Sequence, residues 1–554
     1  MPYLDGKLVT GSSTPAYLFI SFGSLLQYVP ENPPTLRRKP RKINVFAEII
    51  IPVLWKINNF LQEIFFFQKA AGSIAFIPRM CYNGSAFSPP QKNGLGKHCD
   101  ERLAQKENSM KSKIAPGTSE RLPRQILLFS LPLMASNVLQ VLFNMADIAV
   151  IGRFAGSLSM AAVGSTAIAV TLFTGILIGV GGGINALVAR YYGARDRQEL
   201  QRTVHSSAII CLICGILLLI FGFFGSRPLL RLLNTKPELL DKATLYMQIY
   251  FCGMPALALY NFGNAVYSAI GNTKKPLYYL LFSGIVNVVL NLVFVIVCDL
   301  DVAGVALASI ISQYLSAIFL TAALFRNREI YGLSPKLLRL HRKNCREILT
   351  LGIPAGLQNA IFYIANMFIQ AGVNSFDTVM VAGNSAAANA DGLVYDVMAA
   401  FYTACSSFIG LNYGAGRRRE IRRSYLICLG YSFGAGAILG FSLVAFGPAF
   451  LTLFTTDAAV IEAGMKRLTI MGFSYCVSAF MDNAIAGCRG LGKSLVPMII
   501  VISGSCIFRI IWVLTVFAWF KTIPSLYLVY IFSWSITAAF ENWYFSRCYR
   551  NLPA

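Results

Sequence analysis

The stretch Ile126-Leu-Leu-Phe-Ser-Leu-Pro132 opens a long apolar run, and a related stretch, Ile348-Leu-Thr-Leu-Gly-Ile-Pro354, opens another. In both copies an asparagine follows five residues after the proline, and a second one seven residues later: Asn137 and Asn144, then Asn359 and Asn366. The repeat has a period of about 221 residues. The chain is therefore predicted to consist of two related halves.

Further apolar runs follow these two stretches along the chain. Twelve runs each approach or exceed the ~20 residues that an α-helix needs to cross a bilayer. They lie at about 125–151, 161–188, 206–224, 243–270, 277–298, 302–325, 348–373, 381–411, 425–446, 468–487, 496–520 and 525–545. The sequence predicts an all-α integral membrane protein with twelve transmembrane helices, spans 1 to 12, with six in each half.

The composition also favours a membrane protein. Of 554 residues, 56% are hydrophobic and 13% are charged, and the mean hydropathy is +0.58. A soluble protein carries about 25% charged residues, so this chain has too few charges to cover a water-facing surface. The composition argues against a soluble globular protein and, more strongly, against a disordered chain.

The net charge of +23 is distributed unevenly over the predicted topology. Counted from Lys111, 26 Lys and Arg residues fall on the side of the two termini and eight on the opposite side. Because cytoplasmic segments of membrane proteins are enriched in Lys and Arg, this predicts a multi-pass protein of the cell membrane with both termini in the cytoplasm. It also explains the charge without a nucleic-acid partner.

Six spans per half is an even number, so the two halves must have the same orientation. Such a parallel repeat about an axis along the membrane normal is typical of transporters, which bind their solute near mid-membrane between the halves. We predict an N-lobe at 110–325 (spans 1 to 6), a cytoplasmic linker at 326–347 and a C-lobe at 348–554 (spans 7 to 12).

Residues 1–109 do not fit this design, because apolar runs such as Tyr17–Val29 are short and interrupted. No clean cleavage site of a signal peptide follows that run. Met110, in contrast, precedes a basic tail typical of a cytoplasmic N-terminus. We hypothesise that Met110 is the functional start and that the preceding residues are an untranslated or poorly ordered extension, outside the transporter core.

Two short motifs could indicate a cofactor. The segment Gly487–Ser494 fits the phosphate-binding pattern G-x4-G-K-[S/T], but that chemistry requires a strand before the loop and a soluble helix after it. Here a membrane span precedes the motif and Pro497 opens the next span. Cys211 and Cys214 form a CxxC without a nearby histidine or a second CxxC. We therefore expect no ATP, metal or other cofactor.

Several motifs at corresponding helix positions are shared with a known family. They are Asn144-Met-Ala-Asp147-Ile-Ala-Val-Ile-Gly152, Arg190-Tyr-Tyr-Gly-Ala194, Asn412-Tyr-Gly-Ala415 and the stretch Gly383–Tyr395. In these motifs the chain from Met110 to the C-terminus resembles the MATE (multidrug and toxic compound extrusion) antiporters. The resemblance implies two six-helix bundles arranged as a V. It also implies export of an organic, cationic or amphiphilic compound in exchange for H⁺ or Na⁺.

The resemblance assigns ion coupling to Asp147, in the outer half of span 1. An acid at mid-helix costs at least about 2.5–3.5 kcal/mol, and its presence indicates a function. Asn287 and Asn291 share one face of span 5, and the resemblance adds Ser309 of span 6, a hydroxyl residue that completes the polar cluster. Many family members carry Asp where this chain has Asn291. The asparagine gives the cluster one negative charge fewer, and this favours H⁺ over Na⁺. Alternatively, Asp147 is a solvated helix-end carboxylate and the asparagines join helices.

The substrate cavity is predicted from polar residues inside the other spans. Asn384 and Asp391 are seven residues apart on span 8 and share a face, and Asn389 and Asp396 share a neighbouring face. The complete predicted set is Asn144, Asn366, Asn384, Asn389, Asp391, Asp396 and Asp482. Arg509 is the one basic residue deep in a predicted span and needs a partner. Pairing within the C-lobe is its expected role, and Asp482 is a candidate.

Three other classes of protein remain as alternatives. A lipid-linked oligosaccharide flippase shares the wider fold, but its relatives have more spans and an Arg-rich cavity. A multi-span transferase needs clustered Asp for Mg²⁺-diphosphate, and a channel is disfavoured because no filter sequence is repeated. The sequence therefore predicts a secondary active transporter and not an enzyme. Its expected partners are membrane lipid and a small organic substrate, and we expect a monomer.

Overall fold

The structure is a computed structural model that describes residues 121–233 and 235–553. Residues 1–109 and the hypothesis on Met110 lie outside this range. The long helices, in chain order, are α1 (Leu122–Phe154), α2 (Ser157–Ala194), α3 (Arg197–Leu232), α4 (Pro237–Cys252), α5 (Met254–Ala269), α6 (Lys274–Val297), α7 (Asp301–Phe325), α8 (Arg342–Val373), α9 (Thr378–Gly414), α10 (Arg418–Leu451), α11 (Ala458–Gly490), α12 (Leu495–Phe520) and α13 (Ile523–Arg550).

Each predicted span is helical, and the prediction of an all-α membrane fold is confirmed. Within the described residues, ten helices are long and apolar enough to cross a membrane. The other two predicted spans have distinct features. Span 4 is divided at Gly253 into α4 and α5, because Pro255 has no N–H to continue the hydrogen-bond ladder. Span 10 is α11, which is 33 residues long but more polar.

The two halves have separate hydrophobic cores that share helix ends. The first core consists mainly of α2 to α7, yet Ile348 and Leu351 at the start of α8 also belong to it. The second core consists mainly of α9 to α13, yet Ile126 and Phe129 near the start of α1 belong to it. Each half therefore packs one helix end into the core of the other.

Glycines allow α2 of the first half to pack closely on α8 of the second. A Cβ atom at Gly179 would lie 2.3 Å from the backbone nitrogen of Gly356, and one at Gly183 would lie 2.7 Å from that of Gly352. Small residues at such spacing let membrane helices approach backbone to backbone. Gly164, nearer the start of α2, has no neighbouring helix of the described residues within 4 Å of its Cβ position. The halves are therefore in contact along the second part of α2.

This seam is closed on one side of the molecule. We name it the basic side: α2 ends there, α8 begins there, and it carries Arg190 and Arg342. A buried hydrogen bond of 2.8 Å from the Ser407 hydroxyl to Asn185 Oδ1 joins the halves near it. Towards the opposite side, Asn144 and Asn389 are exposed. The halves diverge in that direction and enclose the cleft of a V.

Candidate functional site: two polar clusters beside the cleft

The first polar cluster, here the Asp147 cluster, joins α1, α6 and α7. Asn291 Nδ2 donates to Asp147 Oδ1, and Ser309 Oγ donates to Asp147 Oδ2 at 3.0 Å. Asn291 Nδ2 also lies 3.4 Å from Asn287 Oδ1. Shortly after Asn291, α6 widens into a π-helical segment at Val293–Val297. Such segments are frequent at functional sites. The structure thus brings the four predicted ion-coupling residues together.

The geometry of the Asp147 cluster limits what it can bind. Both carboxylate oxygens of Asp147 accept a hydrogen bond, whereas Asn291 Oδ1 is buried with no partner among the described residues. Tyr246 and Tyr250 of α4 are within electrostatic reach of the carboxylate. The cluster therefore offers one negative charge and few free oxygen ligands, which is enough to hold one proton.

The second polar cluster, the Arg467 cluster, joins α9, α11 and α13. Arg467 Nε donates to Asp391 Oδ2 at 2.9 Å, and its Nη1 donates to Asn384 Oδ1 at 2.6 Å. The Tyr475 hydroxyl donates to the other carboxylate oxygen of Asp391, and the Tyr527 hydroxyl donates to Asn384 Oδ1 at 2.8 Å. Arg467 is only 7% exposed. Asp391 and Asn384 are therefore held in a buried ion-pair network.

Arg467 corrects two expectations from the sequence. Predicted span 10 begins at residue 468 and leaves Arg467 in the preceding loop, but this residue lies inside α11, which begins at Ala458. The helix starts early because Asp457 caps it: Oδ1 of Asp457 accepts from the Ala459 N–H at 2.9 Å. Arg509 is consequently not the one basic residue deep in a span.

Arg509 has its hydrogen-bond partners within the second half, as expected, but the candidate Asp482 is not one of them. Its Nη1 donates to Asn366 Oδ1 at 2.7 Å and its Nε to Ser533 Oγ at 3.2 Å. The guanidinium carbon lies 4.7 Å from the ring centre of Tyr530, a cation–π contact. Within the described part of the chain, no hydrogen bond joins it to Asp482, although the two side chains are within electrostatic reach of each other. Counting residues along a helix gives the depth of a side chain in the membrane. It does not give the direction in which the side chain points around the helix axis.

The remaining predicted cavity residues are less enclosed. Asn144 is exposed, and so is Asn389, whose Nδ2 donates to the Ser385 carbonyl at 3.1 Å. Asp396 is half-buried, and its backbone carbonyl accepts from Asn137 Nδ2 at 2.8 Å across the seam. Asp482 Oδ2 is buried with no hydrogen-bond partner among the residues described, and Arg489 and Arg509 are within electrostatic reach of Asp482. Asn144, Asn389 and Asp396 border the cleft, whereas Asn366, Asn384 and Asp391 lie in contacts within the second half.

Sequence reasoning missed a buried acid on α13. Glu541 is 0% exposed, and neither carboxylate oxygen has a hydrogen-bond partner in the described ranges. Arg489 and Asp482 of α11 are within electrostatic reach of it. The sequence contained a signal for this site, because Glu541 is the one acidic residue inside predicted span 12.

The phosphate-type motif Gly487–Ser494 has a packing function in this fold. Its first four residues are the last turn of α11. A Cβ atom at Gly487 would lie 2.8 Å from the ring of Phe545, and one at Gly490 would lie 2.8 Å from the Ser406 carbonyl oxygen. These two glycines are therefore explained by close helix packing, since a side chain at either position would clash.

Comparisons with known proteins agree with this architecture. The MatE family model matches residues 132–293 and 354–515, once in each half. A probable multidrug resistance protein of Bacillus subtilis, YpnP, is 28% identical over 65% of this chain and 80% of its own length. The probable multidrug resistance protein NorM of Thermotoga maritima is 24% identical over 68% of this chain and 82% of its own.

A solved structure is similar in fold. A MOP-superfamily transporter from Pyrococcus furiosus superimposes with a TM-score of 0.73 at 21% identity, over 79% of this chain and 99% of that one. Members of the matched family are transporters and not enzymes. The family model covers more than half of the chain and falls on the same repeat that the two proline stretches mark. The chain therefore belongs to the MatE family.

Proposed function

We propose that this protein is a secondary active multidrug exporter, which moves organic compounds out of the cell in exchange for an ion. The observation that carries the proposal is the Asp147 cluster, a carboxylate held by donors from two other helices beside the cleft of a MatE fold. An ion-driven transporter needs a group whose occupancy biases two states of the protein, and Asp147 is suited to be that group. The names of the relatives agree with multidrug export.

We propose H⁺ as the coupling ion. Sodium is a hard cation that is bound by several oxygen ligands, whereas a proton needs a single basic oxygen. Asp147 is the single acidic residue among the four hydrogen-bonded residues of the Asp147 cluster. Its two carboxylate oxygens already accept hydrogen bonds from Asn291 and Ser309. Asn291 adds an amide where a second carboxylate would supply charge. These features favour proton exchange.

We propose that the substrate is cationic or amphiphilic and that the transporter acts as a monomer in the cell membrane, without nucleic acid. Asp396 offers a negative charge at the border of the cleft. Tyr363 and Tyr395 have exposed fractions of 38% and 50% and can present aromatic faces to a cation. A cation with an apolar body fits both features.

Efflux from proteoliposomes tests the function. With purified full-length protein, an imposed pH gradient is expected to drive efflux of a fluorescent organic cation, because protonation supplies the coupling. A Na⁺ gradient of equal size and added ATP are expected to have no effect. Efflux driven by Na⁺ alone would contradict proton coupling. Translocation of a fluorescent lipid-linked sugar without cation efflux would favour a flippase.

Cysteine labelling tests the proposed orientation. In a parent with Cys81, Cys99 and Cys298 changed to serine, we expect Asn551→Cys and Arg419→Cys to resist a membrane-impermeant maleimide added to intact cells. Thr456→Cys, in the loop between α10 and α11, should react. These three positions are exposed in the structure. The reverse labelling pattern would place the termini outside.

A further inference from the structure

A cavity lies on the seam between the two halves, where the seam reaches the surface of the basic side. Its volume is about 720 Å³. The end of α2, the first turns of α8 and Gly492 in the turn between α11 and α12 line it. Because α2 belongs to the first half and the other elements to the second, both halves form its walls.

The cavity has an excess of positive charge. Its charged lining residues are Arg190, Arg342, Lys343, Arg346 and Glu347. Glu347 accepts a hydrogen bond of 2.6 Å from the Tyr191 hydroxyl, and Lys343 pairs with Glu199 at 3.2 Å. The three arginines form no ion pair with residues in the ranges 121–233 and 235–553. Their charges repel one another, and an anion in the cavity would relieve this repulsion.

Arg190 is positioned by aromatic rings from both halves. Its guanidinium carbon lies 5.9 Å from the ring centre of Tyr191 and 5.1 Å from that of Tyr413. Its Nη1 lies 3.6 Å from the Cβ position of Gly492, so it extends to the turn that closes the cavity. The five N–H donors of a guanidinium point outward in its plane, so a guanidinium in contact with aromatic rings can still donate to an acceptor.

The start of α8 adds to the positive potential. This helix begins at Arg342, and no side chain of the residues that the structure describes caps it. Its first turn contains no acidic residue. The first N–H groups of a helix have no partner within the helix and carry partial positive charge. Arginines are unfavourable at this end of a helix, unless an anion binds between them and the free N–H groups.

We propose that this cavity binds a phosphate group, carried by an anionic lipid headgroup or by a soluble phosphate compound, and that the bound group holds the two halves together on the basic side. Guanidinium groups donate two parallel hydrogen bonds to phosphate oxygens. Basic pockets between membrane helices at the cytoplasmic surface suit phosphate headgroups. A ligand that touches both Arg190 and Arg346 bridges the seam, so its binding stabilises the closed arrangement.

Thermal unfolding of the full-length protein in detergent tests this site. The probes are pyrophosphate and dioctanoyl phosphatidylglycerol, with dioctanoyl phosphatidylcholine and NaCl at matched ionic strength as references. The test variant is Arg342→Gln/Arg346→Gln, and Arg419→Gln/Arg422→Gln is the matched control, because those arginines are exposed at the start of α10 and do not line the cavity.

We expect at least one probe to stabilise the wild type and the control variant. The test variant should need at least about tenfold more probe for the same shift, because charge-assisted hydrogen bonds are lost. A response to both probes means that the phosphate is recognised whatever carries it. A response to phosphatidylglycerol alone identifies a lipid headgroup, and a response to pyrophosphate alone identifies a soluble phosphate.

Three results would overturn the proposal: no stabilisation of the wild type by either probe, equal stabilisation by the references, or an equal response of the test variant. If the test variant is unstable without probe, Thr350→Glu replaces it. Thr350 is an exposed residue of the cavity wall. The added negative charge should weaken binding to a similar degree, and an unchanged response of this variant would equally overturn the proposal.

Discussion

Asp147→Asn is expected to reduce proton-driven efflux to the level of protein-free liposomes while the protein stays folded. An asparagine can keep both hydrogen bonds of the carboxylate, because its carbonyl accepts from Asn291 and its amide donates to the Ser309 hydroxyl oxygen. It cannot release or take up a proton. The variant is thus fixed in a state that resembles the protonated carboxylate, and the ion no longer biases the equilibrium between states.

Two measurements on the same protein separate coupling from folding. Proton-driven efflux should be lost, whereas binding of a fluorescent cationic substrate should persist but no longer change across neutral pH. Asp482→Asn is the matched control and should affect efflux less, because the coupling step is assigned to the first half. Asp391 does not serve as a control, since its charge is engaged by Arg467. If Asp147→Asn keeps full efflux while Asp482→Asn abolishes it, the coupling site lies in the second half.

Hydropathy and repeat spacing were sufficient to predict the general architecture. The apolar runs follow the helices because a bilayer leaves few other ways to satisfy the backbone. The Asp147 cluster was predicted mainly from the family resemblance, which assigned ion coupling to Asp147 and added Ser309, whereas spacing alone put Asn287 and Asn291 on one helix face. The positions of polar residues in the sequence did not by themselves indicate that three helices would bring these side chains together.

Arg467 and Arg509 show where sequence reasoning failed. A hydropathy window places the start of a membrane helix where charged residues end, so it left Arg467 outside α11, although Asp457 caps that helix nine residues before Lys466. For Arg509, two π-turns in α12, Ile502–Ile507 and Val513–Phe517, change the helical rotation on either side of the residue. A regular period of 3.6 residues cannot predict the direction of a side chain there.

The Arg467 cluster leads to the second large effect, on stability. Asp391→Leu leaves the buried guanidinium of Arg467 without its counter-charge, and breaking such a pair costs about 3–5 kcal/mol. The remaining contacts of Arg467, with Asn384 and the ring of Tyr527 at 5.3 Å, do not supply a negative charge. Chemical unfolding in mixed detergent micelles should show this loss in free energy of unfolding.

The double variant Asp391→Leu/Arg467→Met should recover most of that loss, because two apolar side chains of similar volume replace the ion pair and leave no buried charge. The matched control is Glu462→Gln/Lys466→Met. It removes an exposed ion pair, with Lys466 Nζ 3.6 Å from Glu462 Oε1, and Lys466 directly precedes Arg467 in the sequence. Such a surface pair contributes no more than about 1 kcal/mol. If the double variant were as unstable as Asp391→Leu alone, the effect would arise from Asp391 itself. If it is stable and still exports substrate, the Arg467 cluster holds α9, α11 and α13 together and Asp391 is not needed for ion coupling.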